Sequence, residues 1–249
     1  MNNGVIHASI VAEDAIPYST ESNLSFPPLK CHIQPSELIC LVGPHRSQLR
    51  AYLLMLAGIS KPVQGNIEIL GQVVSELDQR AWQKLRCQIG YLSGASPLLS
   101  VQPALMNVML PLLYHVNLPF REAADKARTL LAELGCHFEL TTYPALLNSF
   151  QRLQLALARA LILDPRILIL DVPFNNLGAS DRQKMGVLLN KYKKNRAVCM
   201  MGGLQYPLFL EQYADRIVFI SEHKIITFNS WESFIGIEDP VVRELLGLL

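Results

Sequence analysis

Residues 38–58 constrain this chain more than any other stretch. They read Leu-Ile-Cys-Leu-Val-Gly-Pro-His-Arg-Ser-Gln-Leu-Arg-Ala-Tyr-Leu-Leu-Met-Leu-Ala-Gly. An apolar strand, Leu38 to Val42, runs into Gly43-Pro44, and a Leu-rich helix follows. Strand, glycine turn and helix in that order have the layout of a phosphate-binding loop, which reads G-x-x-x-x-G-K-[S/T] when complete. Its glycines let backbone N–H groups wrap phosphate, its Lys reaches the terminal phosphates, and its hydroxyl holds Mg²⁺. Counted from Gly43 through His45, Arg46 and Ser47, the last three places hold Gln48, Leu49 and Arg50. The sequence keeps the scaffold and replaces the chemical grip.

Further along, short apolar strands alternate with helical segments, the pattern of an α/β fold with a parallel sheet. Ile167 to Leu170 is an unbroken apolar run ending at Asp171, as for a strand buried on both faces. Ala197 to Met201 reads similarly. Arg216–Ile220 and Lys224–Phe228, split by Ser221-Glu222-His223, read as a late β-hairpin. Ile67–Leu70 before Gly71 belongs to an N-terminal antiparallel β section. Residues from about 95 to 150 read as an inserted helical subdomain between the core halves 1–94 and 151–249. Leu105–Tyr114 is Leu- and Met-rich and is broken by Asn117-Leu118-Pro119. Arg121–Leu134 is an amphipathic helix stopped at Gly135. A further helix is expected from about Ser149 to Leu163, ending before Asp164-Pro165.

Half of the 249 residues are hydrophobic and the formal net charge is +1. That leaves no global field to attract nucleic acid or an anionic membrane, so no nucleic-acid partner is expected. The basic run Lys191-Tyr192-Lys193-Lys194 with Arg196 sits where a helix should end and complements its dipole. Five cysteines lack C-x-x-C pairing; Cys40 and Cys199 lie inside strand-like runs, as buried reduced thiols do. His32, His45, His115, His137 and His223 are scattered and show no metal-ligand spacing, and no metal is expected. No signal peptide is read at the N-terminus and no run approaches the roughly 18 apolar residues that span a bilayer. The expectation is a cytoplasmic protein, held at the inner face of a membrane by other subunits.

The order of motifs resembles the ATP-binding subunit of ABC transporters. Three pieces carry the resemblance: Gly43-Pro44 before a helix, Leu147…Gln151 opening Arg152-Leu153-Gln154-Leu155-Ala156-Leu157-Ala158-Arg159-Ala160-Leu161, and Ile167-Leu168-Ile169-Leu170-Asp171-Val172-Pro173. The resemblance extends over nearly the whole chain, from about residue 8 to 249. The resemblance implies a P-loop NTPase-like α/β core with the antiparallel section and helical insert just described. Two stretches, Asn107-Val108-Met109-Leu110-Pro111-Leu112 and Glu238-Asp239-Pro240-Val241-Val242-Arg243-Glu244-Leu245-Leu246, look like the ATPase of Mla/Mce-type lipid-trafficking transporters. Such subunits dimerise, dock on a membrane permease and power phospholipid movement.

Against the family pattern, the departures fall on the nucleotide machinery. The signature L-S-G-G-Q, which meets the γ-phosphate at a helix N-terminus, reads Leu147-Asn148-Ser149-Phe150-Gln151. Phe150 adds bulk where close backbone approach is needed, while Asn148 can still cap the helix. Asp171 matches the Mg²⁺ partner, but Val172 stands at the catalytic Glu, so no carboxylate there orients water. Gly94 falls at the Gln of the following loop, Gly178 near the Asp of the D-loop, and Gln205 at the switch His. Tyr18 matches the aromatic that stacks on adenine, or else packs near a strand end. His45, Arg46 and Arg50 either bind phosphate in another way or solvate and salt-bridge the old loop. Without Mg²⁺, a buried Asp171 needs donors, from Arg46, Arg50 or backbone amides.

These substitutions point to a pseudo-ATPase: no catalytic residues, no cofactor, a homo- or heterodimer face and a permease dock. An active ATPase using Arg46 or Arg50 in place of the Lys, with ATP and Mg²⁺, is the alternative. A soluble interaction module unrelated to transport is a third.

Overall fold

The structure, a computed structural model, describes residues 8–20, 23–93, 98–171, 174, 177–194, 196–201 and 207–246. Alternation along the strands decides its layers. Strand β3 (Leu38–Val42) is buried throughout, with Leu38, Cys40 and Val42 turned to one core and Ile39 and Leu41 to another. Strand β7 (Ile167–Asp171) divides likewise, Leu168 and Leu170 from Ile167 and Ile169. Successive side chains leave opposite faces of a sheet, so a wholly apolar strand must be covered on both sides.

Those strands belong to a six-stranded sheet with β6 (Ile89–Ser93), β8 (Ala197–Met201), β9 (Arg216–Ile220) and β10 (Ile225–Phe228), in the order β10-β9-β3-β8-β7-β6. Pairing is parallel from β9 to β6, and only the β9–β10 hairpin is antiparallel. A second, antiparallel sheet holds β1 (Ile10–Pro17), β2 (Leu29–Ile33), β4 (Pro62–Ile69) and β5 (Gln72–Val73), in the order β2-β1-β4-β5. Helix α1 (Arg46–Leu56) lies between the sheets, and its Leu49, Tyr52, Leu53, Met55 and Leu56 share one buried cluster with both. Helix α2 (Gln79–Arg86) leads from the small sheet into β6, its N-terminus capped by Asp78.

The opposite face carries α3 (Ala104–Pro111), α4 (Phe120–Glu133), α5 (Ser149–Leu161), α6 (Ala179–Lys193) and α7 (Pro207–Tyr213). Pro111 lacks the N–H that would continue α3, and a π turn, Leu112–Val116, follows and ends at Asn117 with φ +53°. Helix α4 stops at Gly135, whose φ of +69° suits glycine. Helix α5 is two residues shorter than expected, because Ile162-Leu163 turn away toward Asp164 at φ +51°. Helices α8 (Trp231–Ile235) and α9 (Pro240–Leu245) close the chain's described part. The basic run at the end of α6 is spent locally: Lys193 pairs with Asp215 at 2.7 Å and Arg196 pairs with Asp164. Among the described residues no helix is long and apolar enough to cross a membrane.

Asn107 shows how the helical segment is pinned. It is fully buried in α3, accepts from the Leu99 N–H at 2.8 Å, and donates to the carbonyls of Leu99, Gln102 and Pro103. Its side chain therefore holds the stretch that enters the helical segment. Asn107→Ala leaves those backbone groups without partners. We expect a loss of about 2–3 kcal/mol in urea unfolding; a loss below about 0.5 kcal/mol contradicts this role.

Candidate functional site

The turn after β3 is short, because Gly43 lies against the end of β9. A methyl group on Gly43 would stand 2.0 Å from the Ile220 carbonyl oxygen and 3.3 Å from Leu49 Cδ2. Helix α1 then starts at Arg46, with His45 as an N-cap that makes no side-chain cap bond. His45 Nε2 instead meets Glu222 Oε1 at 3.1 Å.

The three residues at the altered positions each have a structural task. Gln48 is completely buried, and its amide donates to the Ser25 carbonyl at 2.6 Å and the Ser221 carbonyl at 3.2 Å. Its Oε1 is buried without a hydrogen-bond partner among the described residues. Leu49 is 2% exposed and belongs to the core between the sheets. Arg50 reaches the end of β7, its Nε 3.1 Å from Asp171 Oδ2. Tyr91 on β6 donates its hydroxyl to the same oxygen at 3.0 Å. Burial first, then the adjacent Asp171 carboxylate, pushes the Tyr91 hydroxyl up to about 12, so it remains a donor at neutral pH.

Asp171 thus receives the donors that a buried carboxylate requires, one charged and one neutral. Arg50 had been read as one of three possible sources. Tyr91 had not been singled out, since only the parallel pairing of β6 with β7, with Ser93 opposite Asp171, brings it near.

The signature-like residues lie elsewhere, at the start of α5. Asn148 and Gln151 form a reciprocal capping box: Asn148 Oδ1 accepts from the Gln151 N–H at 2.9 Å, and Gln151 Oε1 accepts from the Asn148 N–H at 3.0 Å. Those two amides are satisfied inside the helix. Arg152 donates to the Leu147 carbonyl and to Ser149 Oγ. Phe150 packs half-buried against the helical-side core, with the Lys184 ammonium 5.4 Å from its ring centre.

Tyr18 stands just beyond β1 and is 59% exposed. Pro44 is exposed, and Ser47 is half-buried in the first turn of α1. Gly94, Val172 and Gln205 fall outside the described residues, and their identities come from the sequence alone. Among the described residues, no group of His, Cys, Asp and Glu could hold a metal ion.

Comparison with known proteins follows this geometry. The model of the ABC transporter family matches residues 27–175. This chain belongs to the ABC transporter family. It is 29% identical over 199 residues to the lipoprotein-releasing system ATP-binding protein LolD of Pseudomonas fluorescens, covering 80% of this chain and 87% of that one. Against the methionine import ATP-binding protein MetN of Brucella abortus it is 26% identical over 215 residues, spanning 58% of that protein's length. Its fold matches the dimeric cassette MJ0796 bound to ADP and Pi, with a TM-score of 0.74 at 21% identity over 87% of this chain and 97% of that one. It also matches cbiO1 from Clostridium perfringens, with a TM-score of 0.77 at 20% identity over 92% of both chains. The fold is that of an ATP-binding cassette.

The family implies Mg-bound ATP at the 43–50 loop and at the start of α5 in a partner copy. The side chains present here do not supply that ligand set. Leu49 offers no ammonium, a guanidinium rather than a hydroxyl stands at position 50, and it is already on Asp171.

Because Arg50 is 57% exposed, its loss leaves Asp171 partly hydrated, and Arg50→Ala should cost about 1–2 kcal/mol in chemical unfolding. Adding Asp171→Ala should then cost less than the two single losses together, by about 1 kcal/mol in a double-mutant cycle. Additive losses would show that the contact carries no coupling.

Proposed function

We propose that this cassette is a catalytically silent subunit of an ABC transporter. It forms a dimer face, docks on a membrane permease at the cytoplasmic surface, and braces that permease without splitting ATP. The observation behind this reading is the 3.1 Å contact between Arg50 and Asp171. It sets a fixed guanidinium on the carboxylate that the family pattern assigns to Mg²⁺. Phosphoryl transfer depends on positioned charge, so the loss of the loop Lys, the hydroxyl and the carboxylate at Val172 each costs orders of magnitude in rate.

The start of α5 bears on the dimer. Even a partner with an intact loop would face Asn148, Ser149 and the Phe150 ring, and the capping box has engaged the amides of Asn148 and Gln151. Cargo of the Mla/Mce phospholipid type is inferred from the stretches 107–112 and 238–246. Asn107 and Asp239 hold their own helices there, Asp239 by capping α9 and pairing with Lys224. The lipid reading therefore rests on the remaining Pro-Leu pattern of 107–112, and a likeness to a lipoprotein-releasing protein is in keeping with it.

Purified full-length protein tests this. Mg-ATP should neither raise its melting temperature nor be turned over, and tagged protein should carry a multi-spanning membrane protein through purification. The pair Leu49→Lys with Arg50→Ser should not restore hydrolysis, because Phe150 and Val172 remain. Mg²⁺-dependent turnover that Asp171→Ala abolishes would instead establish the active-ATPase alternative.

A further inference from the structure

The turn from Ser221 to Lys224, between β9 and β10, touches the 43–50 loop on one side and helix α9 on the other. It is closed on itself. The Ser221 N–H donates to the Lys224 carbonyl at 3.0 Å, and the Lys224 N–H donates to Ser221 Oγ at 3.3 Å. On the loop side, the Ser221 carbonyl accepts from the Gln48 amide, Glu222 pairs with His45, and Gly43 lies against the Ile220 carbonyl. On the other side, the Lys224 ammonium pairs with Asp239 Oδ2. Asp239 Oδ1 accepts from the Val241 and Val242 N–H groups at 3.0 and 3.3 Å, which starts α9. The two sides belong to different cores. Leu49 and Tyr52 of α1 sit in the cluster between the sheets, whereas Val242 of α9 is fully buried in the cluster on the helical face. Strand β9 stands between those cores, sending Val218 and Ile220 to the first and Ile217 and Phe219 to the second. The turn at its end joins them by polar bonds.

We propose that this turn is a latch by which α9 sets the order of the 43–50 loop. One oxygen of Asp239 caps α9 and the other holds Lys224, so seating of the helix and placement of the turn become one event. The turn's own hydrogen bonds let it move as a unit, carrying the Ser221 carbonyl and Glu222 with it. Those two groups meet the start of α1 at Gln48 and His45. His45 makes no side-chain cap bond to α1, so its ring follows Glu222 rather than its own helix. Hydrogen bonding from Lys224 holds the Asp239 carboxyl below the usual carboxylate range, which keeps it ionised for both tasks at neutral pH. Whatever grips or lifts α9 is thereby read at the loop, and by linkage a change at the loop is read at α9.

The test is amide hydrogen exchange of the full chain, read by mass spectrometry. Two variants break the α9 arm: Lys224→Gln, and Asp239→Asn, which keeps a capping side chain. Each should speed exchange in peptides covering residues 43–50 about threefold, the scale of a partly exposed ion pair. Peptides covering β7, residues 167–171, should keep their rate. Glu222→Gln, on the loop arm, should speed exchange in α9 by a like factor. Arg243→Gln changes a charge on α9 outside its cap and should leave the loop as it is. Loop exchange at the wild-type rate in both Lys224→Gln and Asp239→Asn overturns the proposal, whether or not α9 itself loosens. So does a rise that spreads evenly to β7, an α9 that Glu222→Gln leaves unchanged, or an equal loop response to Arg243→Gln.

Discussion

The guanidinium of Arg50 on the carboxylate of Asp171 is the interaction around which this cassette is arranged. A carboxylate at the end of a buried parallel strand is costly unless charge and hydrogen bonds compensate it. In a nucleotide-driven cassette, a bound metal ion is the natural source of that compensation. Here the protein supplies it from within, through Arg50 and the hydroxyl of Tyr91. Arg50 and Tyr91 thus join α1 and β6 to the end of β7 through one carboxylate.

The neighbouring substitutions agree with that arrangement. Leu49 turns a position that elsewhere carries charge into core between the two sheets, where a lysine ammonium would be desolvated. Gln48 binds the chain at Ser25 and Ser221, and the Tyr52 hydroxyl donates to the Pro27 carbonyl, so α1 is fastened along its first two turns. At α5 the capping box does for the helix end what a phosphate would otherwise do, satisfying amides that start without partners.

Much of this was legible in the sequence, for identifiable reasons. The apolar runs at Leu38–Val42 and Ile167–Asp171 are diagnostic because strands buried on both faces leave no room for polar residues. The stop of α4 at Gly135 and the capping residue Asn148 follow from local backbone chemistry and came out as read. Strand β1 was less visible, since Glu13-Asp14 interrupts it, with Asp14 at φ +49° and the pairing register shifted around it. Tyr91 was hidden altogether: its link to Asp171 spans 80 residues and arises from strand order, which no local spacing encodes. Gln48 was grouped with the phosphate loop because its position in the motif, not its burial, was what the sequence displayed.

A crystal structure grown in saturating Mg-ATP addresses the central claim most directly. The account requires Arg50 to remain on Asp171, with Tyr91 beside it and no triphosphate along residues 43–50. A triphosphate seated in that loop, with Mg²⁺ on Asp171 and Arg50 displaced, would contradict it.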